Sequence, residues 1–329
     1  MDWTYQIDSH EENLILEKLK RRRQSENNEV TDESDLPDSL LLYILSFLYT
    51  KHAVRTCVLS KRWKHLWKRI PILTLHSSRF SNAENVDIFV SKILTLCDTS
   101  TALQAFDLDR WGEIEPQLLK NVLDYVCSHN TYLQELGISV CGDNSLILSC
   151  VSSCQALTSL KRSVRSSNNI GSDSGILFPK SLNLPALTSL DLTNFAFCGG
   201  ENGCAEPFSV FTKLNSLVIR SCKVKDAQIL NISSETLVDL AMHDNSCDFA
   251  KIELSTSSLC NFTFSGRPLQ RIRGSGISSV KHVSIEAEMY SIREKYPWIL
   301  FNWLLGFANV KSLKVTSSTL QVPLHVLRL

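Results

Sequence analysis

From Leu103 onward the apolar residues of this chain recur in one figure. An apolar residue is followed by two others, a second apolar residue, one other and a third apolar residue. Leu103, Phe106 and Leu108 form the first copy, and Leu133, Leu136 and Ile138 the second, with Cys141 three places on. Leu157 and Leu160 open a third, where Arg162 takes the last apolar place. Then come Leu187, Leu190, Leu192 with Phe195; Leu214, Leu217, Ile219 with Cys222; and Leu237, Leu240, Met242 with Asn245. Leu259, Phe262, Phe264, then Val280, Val283, Ile285, then Val310, Leu313, Val315 complete the series. Alternation inside each copy predicts a short strand with one face buried. The Cys or Asn at the ninth place is expected to turn the chain, its side chain bonding backbone groups left free there. One copy cannot bury its apolar side, so neighbours must stack. Starts lie 30, 24, 30, 27, 23, 22, 21 and 30 residues apart. Leucine-rich repeats run about 20–29 residues, so the longer intervals require insertions.

Upstream the pattern is helical. Within Leu36–Leu75, Pro37 suits a helix start, and Leu40, Leu41, Ile44, Leu45 and Leu48 fall at helical spacing. A second short helix carries Ala53, Val54, Cys57 and Val58. A third, with Ser60 as its expected cap, places Trp63, Leu66, Trp67 and Ile70 on one side before Pro71. This unit is too small to supply its own core and needs a partner or the rest of the chain. Helices are also expected over Asn85–Cys97, through Val86, Phe89, Ile93 and Leu96, and over Glu115–Cys127, through Leu118, Leu119, Val122, Leu123 and Val126. Phe197–Pro207 reads as a Gly-rich loop, and the apolar stretch Tyr296–Leu305 as a packing helix.

Charge adds local contrast only. The net charge of the 329 residues is zero, which gives no reason to expect nucleic acid or an anionic membrane as partner. Seven Lys/Arg and no Asp/Glu lie between Lys51 and Arg69, while Glu29, Asp32, Glu33, Asp35 and Asp38 lie just upstream. Residues 1–30 read as a flexible, charged N-terminus whose Lys18–Arg23 cluster is either an import signal or a solvated basic face. No leader precedes the eleven cysteines and no apolar run is long enough to span a bilayer. Reduced thiols in the nucleus or cytoplasm are therefore expected, and the sequons at Asn231 and Asn261 read as chance. No phosphate-binding loop, dinucleotide loop, nucleophile elbow or C-x-x-C pair is present. Zinc at Cys150 and Cys154 is the weaker alternative to packing. No cofactor and no metal are expected, and the chain is read as a non-enzyme.

The string from Leu36-Pro37 through the Leu40/Ile44/Leu45/Leu48 positions to Leu59-Ser60-Lys61-Arg62-Trp63 and Leu66-Trp67 resembles the F-box. With the irregular repeats behind it, residues 36–322 resemble the large plant family of F-box/LRR proteins. The implied fold is α/β: a three-helix F-box followed by an irregular leucine-rich-repeat solenoid. The expected domains are residues 1–30, the F-box at 31–76 and the repeats at 77–329. The chain stops at Leu329 just after a repeat start, so the C-terminal FBD module carried by many members is expected to be absent.

The resemblance implies docking to a Skp-type adaptor and through it to a cullin–RING ubiquitin ligase, with the solenoid holding a protein substrate. Leu36, Pro37, Leu40, Ile44, Leu45, Leu48, Val58, Leu59, Trp63 and Trp67 carry over as adaptor-binding positions. Spacing alone leaves open which of them meet the adaptor and which pack internally. The alternative reading is a non-ligase interaction scaffold, or a truncated F-box protein unable to take substrate. Substrate contacts are expected on the concave side, where the residues between the inward ones point. Asp191, Arg220, His243, Glu286 and Lys314 are the candidates, in a row that is acidic early, at Asp107 and Asp109, and more basic later.

Overall fold

The protein is described by a computed structural model covering residues 36–98, 100–165, 176–200, 202–245, 249–288 and 296–320. The Lys18–Arg23 cluster, the acidic residues Glu29–Asp35 and the segment 1–30 lie outside the described residues. Three short helices open the chain: α1 (Asp38–Ser46), α2 (Thr50–Arg55) and α3 (Trp63–Leu66). The expected Ser60 cap does not form; Arg62 occupies the position before α3 and no side chain caps it.

Strand β1 (Ile72–His76) follows directly. It is the first strand of a ten-stranded sheet, paired in parallel with β2 (Ala105–Glu113). Next in the sheet come β3 (Glu135–Cys141), β4 (Ser159–Val164), β6 (Ser189–Thr193) and β9 (Ser216–Arg220). The sheet ends with β12 (Asp239–His243), β14 (Asn261–Gly266), β16 (His282–Ala287) and β17 (Ser312–Val315). Every copy of the figure thus supplies one strand, and β1 adds a tenth, upstream of the series that opens at Leu103.

Register explains why the stack holds. The central apolar residue of each strand faces its counterpart in the next, from Leu73 and Phe106 through Leu136, Leu160, Leu190 and Leu217 to Leu240, Phe262, Val283 and Leu313. A second ladder runs two residues later, from Leu75 to Val315, and there Arg162 stands between Ile138 and Leu192. Nearly all of these side chains are buried; Leu313, on the last strand, is half exposed. Arg162 is buried too, at 1% exposure.

Position along the chain, not interval length, separates the ways in which the repeats close. The early intervals hold helices α4 (Ala83–Leu96), α5 (Pro116–Ser128) and α6 (Asn144–Ser153), the last within only 24 residues. The last long interval holds α7 (Tyr296–Gly306). The intervals between, of 30, 27, 23, 22 and 21 residues, return through brief strands among the described residues. β5 (Ile176–Leu177), β7 (Phe195–Cys198) and β10 (Lys223–Lys225) make one small sheet. β8 (Cys204–Ala205), β11 (Ile229–Ser233), β13 (Lys251–Ser255) and β15 (Arg271–Arg273) make another.

Phe197–Pro207 is therefore not one open loop: Phe197-Cys198 and Cys204-Ala205 belong to different sheets, and Phe197 is buried. In α4 the expected Leu96 is exposed and Val90 takes its place in the core. All five apolar residues expected on α5 are buried. α7 packs through Leu300 and Trp303, and the Trp303 indole N–H donates to the Gln270 carbonyl at 2.9 Å.

The chain turns at the eighth place, one residue before the Cys or Asn expected to turn it. Asn194, Ser221 and Asp244 adopt left-handed backbone at φ 63°, 49° and 47°, a region that Asn and Asp tolerate better than most residues. Their amides donate to the carbonyls of Arg220, His243 and Ser265. The Asn245 side chain accepts from the Cys222 amide at 2.9 Å and donates to the Ile219 carbonyl at 3.2 Å.

Candidate docking surfaces

Pro37 sits in extended backbone before α1, and its carbonyl accepts the amides of Leu40 and Leu41. The Arg62 guanidinium fixes this entry. Its Nε and Nη2 donate to Asp38 Oδ1 at 2.9 and 2.7 Å, and Nη2 also donates to the Leu36 carbonyl. Arg69 reaches the other Asp38 oxygen at 3.6 Å. The cluster is open to solvent, so its value lies in orientation more than in stability.

α1 is apolar nearly all round, and the structure separates its two sides. Leu41 and Leu45 turn inward with Ala53, Trp63, Leu66, Trp67 and Ile70, joining one core that runs on into the sheet. The rest of the chain thus covers the inner face of this small unit. The outer face keeps Leu36, Leu40, Tyr43, Ile44, Phe47 and Leu48, and farther along the chain Val58 and Leu59 are exposed as well. Val58 is 74% and Phe47 71% exposed. A contiguous apolar patch of this kind marks an interaction surface.

Of the ten positions expected to bind an adaptor, Leu36, Pro37, Leu40, Ile44, Leu48, Val58 and Leu59 lie at the surface. Leu45, Trp63 and Trp67 do not; they are core residues that hold the helices in place. Tyr43 and Phe47 escaped the sequence reading. Their rings pack edge to face at 4.8 Å, and the signal was an aromatic pair one helical turn apart.

The basic residues flank the patch, and some are committed to the fold. The Lys51 ammonium donates to the Arg79 carbonyl at 2.5 Å and lies 4.4 Å over the Phe80 ring. Burial, then neighbouring Arg55, draws its pKa below the usual lysine value. Burial followed by Arg55, Lys51 and Arg79 does the same to His52.

The second surface is the sheet face turned away from the core. All five candidate substrate residues lie at outward strand positions. Arg220 Nη2 meets Asp191 Oδ2 at 3.4 Å, and His243 stands in register with Arg220 on the next strand. His243 Nδ1 shares a 2.7 Å hydrogen bond with Ser265 Oγ. Burial, then Arg220, lowers its pKa, while Asp244, Asp191 and Glu286 pull the other way. Glu286 continues the same row one strand past Ser265. Lys314 is exposed on β17, apart from the Asp191–Arg220 pair.

A cluster at the opposite end of this face was missed. His76 Nε2 and Asp107 Oδ2 are 2.9 Å apart. Arg165 grips both oxygens of Asp109, at 2.8 and 2.9 Å, and lies 4.8 Å over the Trp111 ring. Trp111 is 63% exposed. It lies where β2 runs past the six-position figure, so the repeat gave no cue to it.

Among the described residues, no His, Cys, Asp or Glu group is arranged to hold a metal. Cys154 Sγ donates to the Cys150 carbonyl at 3.4 Å, and Cys222 Sγ to the Leu192 carbonyl at 3.7 Å. No helix among the described residues is long and apolar enough to cross a membrane.

Comparison with known proteins agrees with both halves of this architecture. Residues 33–75 match the F-box domain family, so the chain carries an F-box. It is 25% identical to F-box/LRR-repeat protein 13 of Arabidopsis thaliana over 93% of this chain and 69% of that protein. An FBD-associated F-box protein of the same plant is 27% identical over 86% of this chain and 66% of its own length. A putative F-box/FBD/LRR-repeat protein, also from Arabidopsis thaliana, is 33% identical over 39% of this chain and 29% of its own. The chain thus spans at most about two thirds of the length of these relatives.

Proposed function

We propose that an F-box followed by a leucine-rich-repeat sheet makes this chain the substrate-receptor subunit of an SCF-type ubiquitin ligase. The reading starts from the F-box match and the F-box/LRR relatives. The observation that carries it is the split of α1: Leu41 and Leu45 anchor the helix inside, while Leu40, Ile44 and Phe47 stay uncovered outside. A Skp-type adaptor is the partner proposed for that outer face, with Leu36, Pro37, Leu48, Val58 and Leu59 completing the contact. The adaptor links the chain to a cullin–RING ligase.

The chain makes and breaks no bond in this role. It holds a target beside a ubiquitin-charged enzyme, and the gain is effective concentration and orientation. The outward sheet face is the proposed target site. Asp191, Arg220 and His243 at its centre, with Glu286 and Lys314 beyond, offer hydrogen bonds and charges of both signs, which suits a protein surface.

The test is a binding assay between the full chain and a purified Skp-type adaptor, in parallel with Leu36→Ala/Pro37→Ala and Val58→Asp. Micromolar or tighter binding that both variants weaken is the expected result. A folded chain that ignores the adaptor would remove the ligase reading and leave a repeat scaffold.

A further inference from the structure

Helices α5 and α6 pack side by side beneath the sheet, and two of their cysteines meet. Cys127, in the last turn of α5, is partly exposed, whereas Cys150, in α6, is buried. Their sulfurs stand 3.0 Å apart, about 1 Å beyond disulfide bonding distance. Cys127 also lies 3.7 Å from Ser153 Oγ, and Cys150 Sγ lies 3.6 Å from the Leu123 carbonyl. Neither adaptor docking nor target binding uses this pair.

We propose that Cys127 and Cys150 are an oxidation site that a hydroperoxide converts into an intramolecular disulfide joining α5 to α6. Exposure sets the order of events. Cys127 is the partly exposed member and Cys150 the buried one, so in this proposal a peroxide such as hydrogen peroxide meets Cys127 first. The sulfur attacks one peroxide oxygen, the O–O bond breaks, and Cys127 becomes a sulfenic acid. Its thiol proton leaves with the departing hydroxide as water. Cys150 then attacks the sulfenic sulfur, an S–S bond forms, and the S–O bond breaks. The second hydroxide leaves as water with the Cys150 proton. Two thiols and one peroxide give one disulfide and two waters, so no further oxidant is needed.

The surroundings favour this pairing over others. Hydrogen bonding with Cys154, then burial, holds the Cys150 thiol well above its ordinary pKa, which suits it to wait as the second partner and not to react first. Cys154 is fully buried at the end of the same helix, with its thiol turned to the Cys150 carbonyl. Cys97 faces Tyr125, and burial raises its pKa to about 11. The link would close the chain from 127 to 150 around β3 and fix the first repeat to the second.

The test treats the full chain with one equivalent of hydrogen peroxide, blocks free thiols and maps peptides without reductant. The expected product is a single 127–150 linked species, with two of the eleven thiols lost and both recovered on reduction. Cys127→Ser and Cys150→Ser should each abolish it, and Cys154→Ser should leave it intact. If Cys150→Ser fails to fold, Cys127→Ser decides, because that position is partly exposed. A 150–154 link would overturn the proposal. So would Cys127 carried to sulfinic acid with Cys150 unchanged, or both thiols intact once Cys198 and Cys204 are oxidised.

Discussion

The Thr50 hydroxyl accepts a hydrogen bond from the Thr74 backbone amide at 2.8 Å. Thr50 is fully buried at the start of α2, and Thr74 lies in the middle of β1. β1 is an end strand of the sheet, with β2 on one side only. An end strand has backbone groups with no strand to pair with, and burying one unsatisfied is costly. This contact therefore does two things: it satisfies the end of the sheet, and it fixes the F-box to the first strand of the repeats.

Thr50→Val should expose that dependence. The side chain keeps its shape and loses the acceptor, leaving the Thr74 amide unpaired in a partly buried place. The expected loss is about 1–3 kcal/mol of unfolding free energy, read by urea denaturation of the full chain. A variant as stable as the parent would mean that water or a local shift replaces the hydroxyl.

The two sides of α1 should also separate by experiment. Ile44→Asp or Val58→Asp places a charge on the exposed surface and should weaken adaptor binding more than tenfold with little change in stability. Leu45→Ala cuts into the core and should cost roughly 2–5 kcal/mol. Equal effects of Ile44→Asp and Leu45→Ala on denaturation would contradict the split.

That split was not legible in the sequence, and the reason is physical. A helix with Leu at 40, 41 and 42 and Ile44-Leu45 behind them is apolar nearly all round, so its pattern names no inner side. The repeats were legible because alternation in a strand assigns each residue to one face. Even Arg162 appeared in its true place, as an inward position with the wrong chemistry. β1 stayed hidden although Ile70, Leu73 and Leu75 keep the spacing of the figure, because Ile70 also completes the apolar side of the third F-box helix. Of the return strands, β5, β8, β10 and β15 are two or three residues long and carry no period. β11 and β13 alternate over five residues but lie outside the repeat figure.

Arg162 and Arg110 give a third prediction. Both are inward and buried, but Arg110 holds Asp87 through Nε at 2.9 Å and Nη2 at 2.7 Å. Arg162 reaches the carbonyls of Ile138 and Ser163 and the Asn144 side chain. No carboxylate pairs with it among the described residues, and its Nε lacks a partner there. Burial draws its pKa down to about 10, so it stays charged at neutral pH and bears the full desolvation cost. Arg162→Met should therefore lie within about 1 kcal/mol of the parent, or above it. Arg110→Met strands the half-buried Asp87 and should lose up to roughly 3 kcal/mol. The idea fails if urea unfolding finds the two variants equally weakened.

His243 supplies a pH dependence whose sign follows from its neighbours. Burial and Arg220 hold its folded-state pKa below the ordinary 6.5, against the weaker pull of Asp244, Asp191 and Glu286. As pH falls, the unfolded chain therefore binds this proton before the folded chain does. The stability tied to His243 is intact above about pH 6.5 and is lost as pH drops through the lower folded-state value. Protonation would also place a second positive charge beside Arg220 on the proposed target site, so basic targets should bind less well at the acid end of this window. His243→Asn should shrink the difference in unfolding free energy between about pH 7.5 and about pH 5.5. A nuclear magnetic resonance titration of the folded chain should place the His243 midpoint below 6.5. A midpoint at or above that value, or an unchanged pH difference in the variant, would show that Ser265 and the acidic neighbours outweigh burial.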